Sequence, residues 1–393
     1  MKNSKLIPLS VPNLSLTILE NVRETIETGW VSTGGRFITE FEAKIAKYTG
    51  APRAVSTQSG TAGLHLALRV LGIEPGDEVI VPSLTFIAAV NPVRYMQAEP
   101  VFMDCDDTLN MDMDKLQRFL ELECDQVNGQ TINRRTKRPV KAVVVVHVFG
   151  NPANMDKLMQ LKEQYHLHVI EDATEALGSY YLAGRYAGQH CGTIGDIGVY
   201  SFNANKIITT GGGGMIVSPH EEYLERAAFL GVQAKTDPLY FIHDEVGYNY
   251  RMTNIQAAFG TDQIDQLERF IDAKISSYRL YQAAISDIPG LELYPFRPDT
   301  RANHWFYSLY IDEQQYGLNR DELLRQLNER HIQTRPLWGL VHKQKPYRGC
   351  LAYEIENACR FEDNLLNIPC STSLLESELD QVVEALRTLG GTR

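Results

Sequence analysis

Val140-Lys141-Ala142-Val143-Val144-Val145-Val146-His147 is apolar on successive residues rather than on alternate ones. A strand built that way is covered on both faces, the situation inside a parallel sheet with helices above and below it. The pattern recurs on either side. Glu78-Val79-Ile80-Val81, Pro100-Val101-Phe102-Met103, Leu167-His168-Val169-Ile170, residues 197–202 and Gly214-Met215-Ile216-Val217 read as further strands. Helical spacing at residues 62–71 and 155–165 gives βα repetition. The expected fold class is α/β: a large domain, residues 1–252, with a mostly parallel sheet covered by helices. Polar residues gather just after these strands, at His147, Glu171-Asp172 and Asn203 to Lys206. In open α/β sheets that carboxyl edge is where ligands sit.

Residues 122–138 break the alternation. They are polar, with Asn128-Gly129 at the centre and the basic run Arg134-Arg135-Thr136-Lys137-Arg138 beyond it. Asn-Gly is a hairpin-turn signal, so a surface β-hairpin is expected here. The basic run is read either as a solvated face or as an anion contact. From Thr253 the pattern changes again. Thr253-Asn254 can cap a long helix carrying Ile255, Phe259, Leu267, Phe270, Ile271, Ile275 and Tyr278, which stops before Pro289-Gly290. A strand with alternation at Trp305, Tyr307, Leu309 and Ile311 follows, then a helix over 320–329, a strand near Ile332 and a last amphipathic helix. Ser377 can cap that last helix, with Leu379, Val382, Val383 and Leu386 on its buried face. Residues 253–393 are therefore expected to form the joining helix and a smaller C-terminal α+β domain.

With 393 residues there is room for two or three domains. Lys and Arg number 38 against 49 Asp and Glu, a net charge of −11, the wrong sign for binding nucleic acid or an anionic membrane surface. No apolar run approaches the ~18 residues of a membrane span, and Met1-Lys2-Asn3-Ser4-Lys5 leads into Leu6-Ile7-Pro8 and not into a signal core. Cys105, Cys124, Cys191, Cys350, Cys359 and Cys370 lie far apart without a CxxC, so no metal site and no disulfide framework are expected. Together these point to a cytoplasmic enzyme.

Four segments can carry chemistry, and each has a plainer reading. Ser59-Gly60-Thr61-Ala62-Gly63 opens a helix, where free N–H groups and small side chains suit a phosphate; it is equally a Ser/Thr N-cap. Glu171-Asp172-Ala173-Thr174-Glu175 follows a strand. A carboxylate buried there needs a cation, such as a protonated pyridine nitrogen, unless it merely balances a helix dipole. Lys206 follows the strand 197–202 and precedes Gly211-Gly212-Gly213-Gly214. A shielded lysine beside closely approaching backbone suits Schiff-base chemistry, although any single lysine is more often an exposed one beside a turn. The glycines are not a P-loop, because the lysine precedes them, and not a dinucleotide fingerprint, because a strand follows. The fourth, Gly247-Tyr248-Asn249-Tyr250-Arg251-Met252-Thr253-Asn254, is polar and aromatic and is otherwise a helix-entry loop.

Taken in this order, the segments resemble those of the nucleotide-sugar aminotransferases, the DegT-type branch of the fold-type I enzymes that use pyridoxal 5′-phosphate. The resemblance runs from Gly29-Trp30-Val31-Ser32-Thr33-Gly34 through Pro82-Ser83-Leu84-Thr85-Phe86 and His147-Val148-Phe149-Gly150. It continues through the Asp172, Lys206 and Asn249-Tyr250-Arg251 segments to Arg335-Pro336-Leu337-Trp338-Gly339-Leu340-Val341-His342. It implies that Lys206 forms the Schiff base with the cofactor and that Asp172 holds the pyridine nitrogen protonated. It further implies that Phe86 stacks on the cofactor, that Gly60, Thr61 and Ser201 contact its phosphate with Ala62 also at the cofactor, and that Asn249 gives a further phosphate contact from the neighbouring subunit of a homodimer. Thr33, Arg251 and His342 match the sugar-nucleotide side. Two positions depart from the family pattern. Glu175 stands where His or Gln is more usual near the cofactor's phenolic oxygen, and a carboxylate there repels a phenolate unless protonated or turned away. Gly212 replaces the acidic residue of Gly-Glu-Gly-Gly.

The activity this resemblance implies is transfer of an amino group from L-glutamate to a nucleotide-linked 4-keto-6-deoxy sugar for surface-glycan synthesis. The hairpin around Asn128-Gly129 and Ser10-Val11-Pro12-Asn13-Leu14 look most like the subgroup that works on UDP-linked N-acetylhexosamines. A dTDP- or GDP-sugar or cyclitol aminotransferase is the alternative. Sugar dehydratases of the family carry His where this chain has Lys206. A non-catalytic regulatory protein binding the cofactor would need a DNA-binding segment that the sequence does not offer.

Overall fold

The computed structural model describes residues 5–390. Its centre is an eight-stranded sheet built from β1 (Ala54–Thr57), β2 (Glu78–Pro82), β3 (Glu99–Met103), β4 (Val140–Val146), β5 (His168–Asp172), β6 (Ile197–Ser201), β7 (Gly214–Val217) and β8 (Ala352–Tyr353). The spatial order is β1-β7-β6-β5-β4-β2-β3-β8. Pairing is parallel from β6 to β8, while β7 runs antiparallel to both of its neighbours. The expected α/β class and mostly parallel sheet are thus present. Ile80, Val143, Val145 and Val169 pack into the core on one face, Val79, Val81, Val144 and Ile170 on the other. This two-sided burial is why the strands lack hydrophobic alternation.

Helix α1 (Gly60–Val70) follows β1 and lies over β6 and β7. The hairpin forms as expected, Cys124–Val127 against Gln130–Asn133, and its turn residues Asn128 and Gly129 both take positive φ (52° and 77°). Its basic run is partly spent on neighbours: Arg134 pairs with Asp125 at 2.8 Å and Arg138 with Glu99 at 3.4 Å.

Thr253 caps the long helix in a reciprocal capping box with Gln256. The helix is not continuous, however. It runs as Asn254–Gln263, tightens to a single 3-10 turn at Ile264–Gln266, and resumes as Leu267–Ile285. Beyond it a four-stranded antiparallel sheet orders Leu291–Leu293, Tyr307–Ile311, Leu365–Ile368 and Arg335–Pro336. Ile332 makes only a bridge, to Ile7, so the expected strand there is displaced to Arg335–Pro336. Ser377 is no cap either: the last helix spans Glu376–Gly390 and already includes it. Leu379, Val382, Val383 and Leu386 are buried, as their spacing predicts.

The two sheets are tied together by both ends of the chain. Ile7 and Leu9 bury in the C-terminal core, with the Cys370 amide donating to the Leu9 carbonyl at 2.7 Å, while β8 adds the last strand to the large sheet. Between them, at the carboxyl ends of β5 and β6, the chain leaves a cavity of about 320 Å³, within the ~300–1,000 Å³ of small-ligand pockets.

Candidate active site

Three parts of the large sheet meet in this cavity. The end of β1 turns into α1 at Ser59, whose side chain accepts from the Ala62 amide at 3.1 Å. That cap satisfies Ala62, which does not line the cavity, and leaves the first helical amides, Gly60 and Thr61, at the wall. A Cβ at Gly60 would meet the side chains of Ser201 and Thr174 at 3.0 Å each, so any larger residue fits only if those neighbours give way. From β5 comes Asp172, 4% exposed, whose hydrogen bonds come from Thr174; the Thr174 amide donates at 3.1 Å. Burial pushes the Asp172 carboxyl above its ordinary value, with the charge of Lys206 opposing. Its chain neighbour Glu171 points the other way and is fully served, accepting from the amides of Gly192, Ile194 and Gly195 and lying 2.9 Å from His147 Nε2. Because the Ala153 amide donates to His147 Nδ1, that ring carries its proton on Nε2. Period-two alternation along β5 thus decides which carboxylate faces the ligand edge.

Lys206 follows β6, its side chain 12% exposed, with Nζ 3.8 Å from Glu175 Oε1 and 4.1 Å from the centre of the Trp305 ring. Burial lowers its pKa from the usual lysine range, and the carboxylates of Glu175 and Asp172 offset part of that. Glu175 accepts the Phe149 amide at 2.8 Å, and burial pushes its carboxyl up to about 7. The repulsion expected from a fixed carboxylate is softened, because this one holds a proton for much of the time near neutrality.

Gly60, Thr61, Phe86, Asp172, Glu175, Ser201 and Lys206, far apart in sequence, therefore share one cavity, Phe86 with about half its surface free. Thr33, Asn249, Arg251 and His342 do not line it. Asn249 is exposed, its backbone bridged to Val232. Arg251 borders a separate groove with Arg53 and Glu42. His342 Nδ1 lies 2.6 Å from Ser83 Oγ, and Thr33 is half-buried in the loop before the helix Arg36–Thr49. Trp305, Phe306 and Trp338 do line the cavity and were not singled out as site residues. Phe306 had a signal of its own, since it sets an apolar residue between Trp305 and Tyr307 where strand alternation calls for a polar one.

The cavity meets the requirements of pyridoxal phosphate. A phosphate finds the free amides of Gly60 and Thr61 at a helix start, with the hydroxyls of Thr61 and Ser201. A pyridinium nitrogen meets the charge requirement of Asp172, a buried carboxylate whose hydrogen bonds come from one residue. An aldehyde finds a shielded amine with depressed basicity in Lys206. A model of the DegT/DnrJ/EryC1/StrS aminotransferase family matches residues 12–387. The chain belongs to this family. It is a pyridoxal phosphate-dependent aminotransferase. The GDP-perosamine synthase of Caulobacter vibrioides is 36% identical over 386 residues, 97% of each chain. The spore coat polysaccharide biosynthesis protein SpsC of Bacillus subtilis is 32% identical over 404 residues, 99% of this chain and 98% of that one. The crystal structure of the aminotransferase TlmJ from Streptoalloteichus hindustanus superposes with a TM-score of 0.87 at 29% identity, covering 98% of both. Among the described residues, no helix of the aminotransferase is long and apolar enough to cross a membrane, and no cluster of His, Cys, Asp or Glu can hold a metal.

Proposed function

We propose that this aminotransferase moves the amino group of L-glutamate onto the keto carbon of a nucleotide-linked 4-keto-6-deoxy sugar destined for a surface polysaccharide. The observation that carries the chemistry is the meeting of Lys206, Asp172 and the start of α1 in one shielded cavity. The sugar reading is supported by the family match and by relatives named for GDP-perosamine and for spore coat polysaccharide. Bound pyridoxal phosphate supplies the electron sink for the pair left when the amino acid loses its α-proton. In this reading Asp172 would hold a proton on the ring nitrogen, and Phe86 would pack against the ring. The Gly60 and Thr61 amides, with the Thr61 and Ser201 hydroxyls, hold the phosphate. Lys206, as a free amine, would take the α-proton of glutamate in the first half-reaction and, in the second, would give a proton to the sugar's former keto carbon. Trp305, Phe306 and Trp338 keep bulk water from that transfer.

The nucleotide follows one of two readings. The hairpin and N-terminal segment support a UDP-linked N-acetylhexosamine, whereas likeness to GDP-perosamine synthase supports a GDP-linked sugar. A panel of UDP-, dTDP- and GDP-4-keto-6-deoxy sugars, each with glutamate, is the test. One nucleotide class should turn over at least about tenfold faster by kcat/KM, a difference of ~1.4 kcal/mol. Turnover of none, with an unchanged cofactor spectrum on adding glutamate, would overturn the reading.

The working unit in this proposal is a homodimer with shared sites. Asn249 lies outside its own chain's cavity and is exposed, ready to complete a neighbour's. Close to it in the chain, Leu239, Tyr240, Phe241, Ile242 and Val246 are at least half exposed, an apolar surface that a second copy would cover. Mixing inactive Lys206→Ala with inactive Asn249→Ala chains is expected to restore up to about a quarter of wild-type activity by random pairing, since each mixed dimer keeps one unmutated site. No recovery after verified subunit exchange would count against sharing.

A further inference from the structure

Trp305 stands two residues before the small-sheet strand Tyr307–Ile311, yet its indole belongs to the lysine cavity. Its Nε1–H donates to the carbonyl of Asn205, the residue just before Lys206, at 2.7 Å. The face of the same ring carries Lys206 Nζ at 4.1 Å from its centre. The indole is itself fixed from several sides. Its backbone N–H is shared by the Asn303 side-chain oxygen at 3.0 Å and the Phe149 carbonyl at 3.1 Å, and its carbonyl accepts from the buried Lys274 at 2.8 Å. The ring stacks on Phe306 at 4.1 Å, and the residue is 3% exposed. Asn303 in turn donates to the carbonyls of Glu175 and Leu177, both at 2.9 Å. A rigid ring in so determined a socket transmits its position to whatever it touches.

We propose that Trp305 is a positioning residue for Lys206, its N–H fixing the loop that presents the lysine and its ring face holding the ammonium in place. This rests on the reading of Lys206 as the reacting amine. An indole face attracts a cation, and more strongly where water is excluded. The ionisable groups facing Lys206 are Glu175 and Asp172, both carboxyls. Carboxyls and indole together oppose the desolvation that would strip the amine of its proton, and the indole alone does so without titrating.

The test uses the cofactor-free enzyme, so that activity is not the readout. Acetic anhydride labelling of Lys206 across pH, quantified by peptide mass spectrometry, gives the midpoint at which the amine becomes reactive. Trp305→Leu removes ring and donor, and its midpoint should fall by about one pH unit, roughly a tenfold rise in the free-amine fraction below it. Trp305→Phe keeps a ring but not the donor. Its midpoint should move less than half as far, while the amides of residues 203–207 exchange hydrogen faster. Should the leucine variant fail to fold, tryptophan bearing one, two or three fluorines preserves shape and weakens the ring face stepwise, and the midpoint should step down with it. A role in packing alone would lower the melting temperature and leave every midpoint at the wild-type value, and that result overturns the proposal. Borohydride fixation of the cofactor on a different lysine would instead overturn the reading of Lys206 and leave any midpoint shift standing.

Discussion

Lys206→Ala is expected to lower turnover by at least about 10⁴-fold while the protein stays folded. Loss of a general acid–base group costs about 10²–10⁴, and here the same amine also binds the cofactor, so two functions vanish together. Folding should survive because Lys206 Nζ makes a loose ion pair with Glu175 at 3.8 Å and a ring contact, both within a site that burial already makes unfavourable for the charge. Glu175, pushed up to about 7, can lose this partner by taking up a proton. The assignment has an internal rival. Lys274 is also deeply buried with a lowered pKa, but its Nζ donates to the carbonyls of Trp305 and Cys370, at 2.8 and 2.6 Å, and is spent on joining those two segments. Borohydride reduction of the holoenzyme and peptide mapping should therefore label Lys206. Label on Lys274, or glutamate-driven absorbance change in Lys206→Ala at the wild-type rate, would remove Lys206 from the mechanism.

The contrast between these two lysines shows what a sequence can and cannot tell. Parallel strands were legible because burial on both faces writes an apolar run, as in Val140–Val146. β1 and β8 were not. Ala54–Thr57 ends in Ser and Thr, and Ala352–Tyr353 is two residues long, so neither carries a pattern apart from its partner in the sheet. The break at Ile264–Gln266 has no Pro or Gly to announce it, and the helical spacing of apolar residues continues across it. In the site, each of the four segments had a plainer reading, which for the Ser59 and Lys206 segments was the stronger one when taken singly. A serine cap and a phosphate loop are even the same object here: Ser59 consumes the Ala62 amide and leaves Gly60 and Thr61 for a ligand. Trp305 escaped because strand alternation explained it well enough. Its contact with Lys206 is a tertiary fact that joins positions about a hundred residues apart.

Asp172→Asn is expected to keep the cofactor bound and to slow the first half-reaction with glutamate by roughly 30- to 1000-fold. The sheet puts Asp172 at the carboxyl end of β5, turned into the cavity, while alternation turns Glu171 away to a histidine and three amides. Asparagine keeps the size and can still accept from the Thr174 amide, as Asp172 does at 3.1 Å. It loses the negative charge, and with it the means of keeping a proton on a pyridine nitrogen. A charge-assisted hydrogen bond aimed at developing charge in a water-poor site is worth about 2–4 kcal/mol, which converts to the stated range of rates. The loss falls on proton abstraction, where the ring must take up an electron pair, and much less on binding, which the phosphate contacts at Gly60, Thr61 and Ser201 carry in this reading. Stopped-flow absorbance after mixing with glutamate reads the step directly, and cofactor retention through gel filtration reads the binding. Equal slowing in Asp172→Asn and Asp172→Ala would assign the effect to the charge alone. A wild-type rate in Asp172→Asn would transfer the ring nitrogen to Glu175, because Glu171, with both oxygens already engaged, has no acceptor capacity turned toward the cavity.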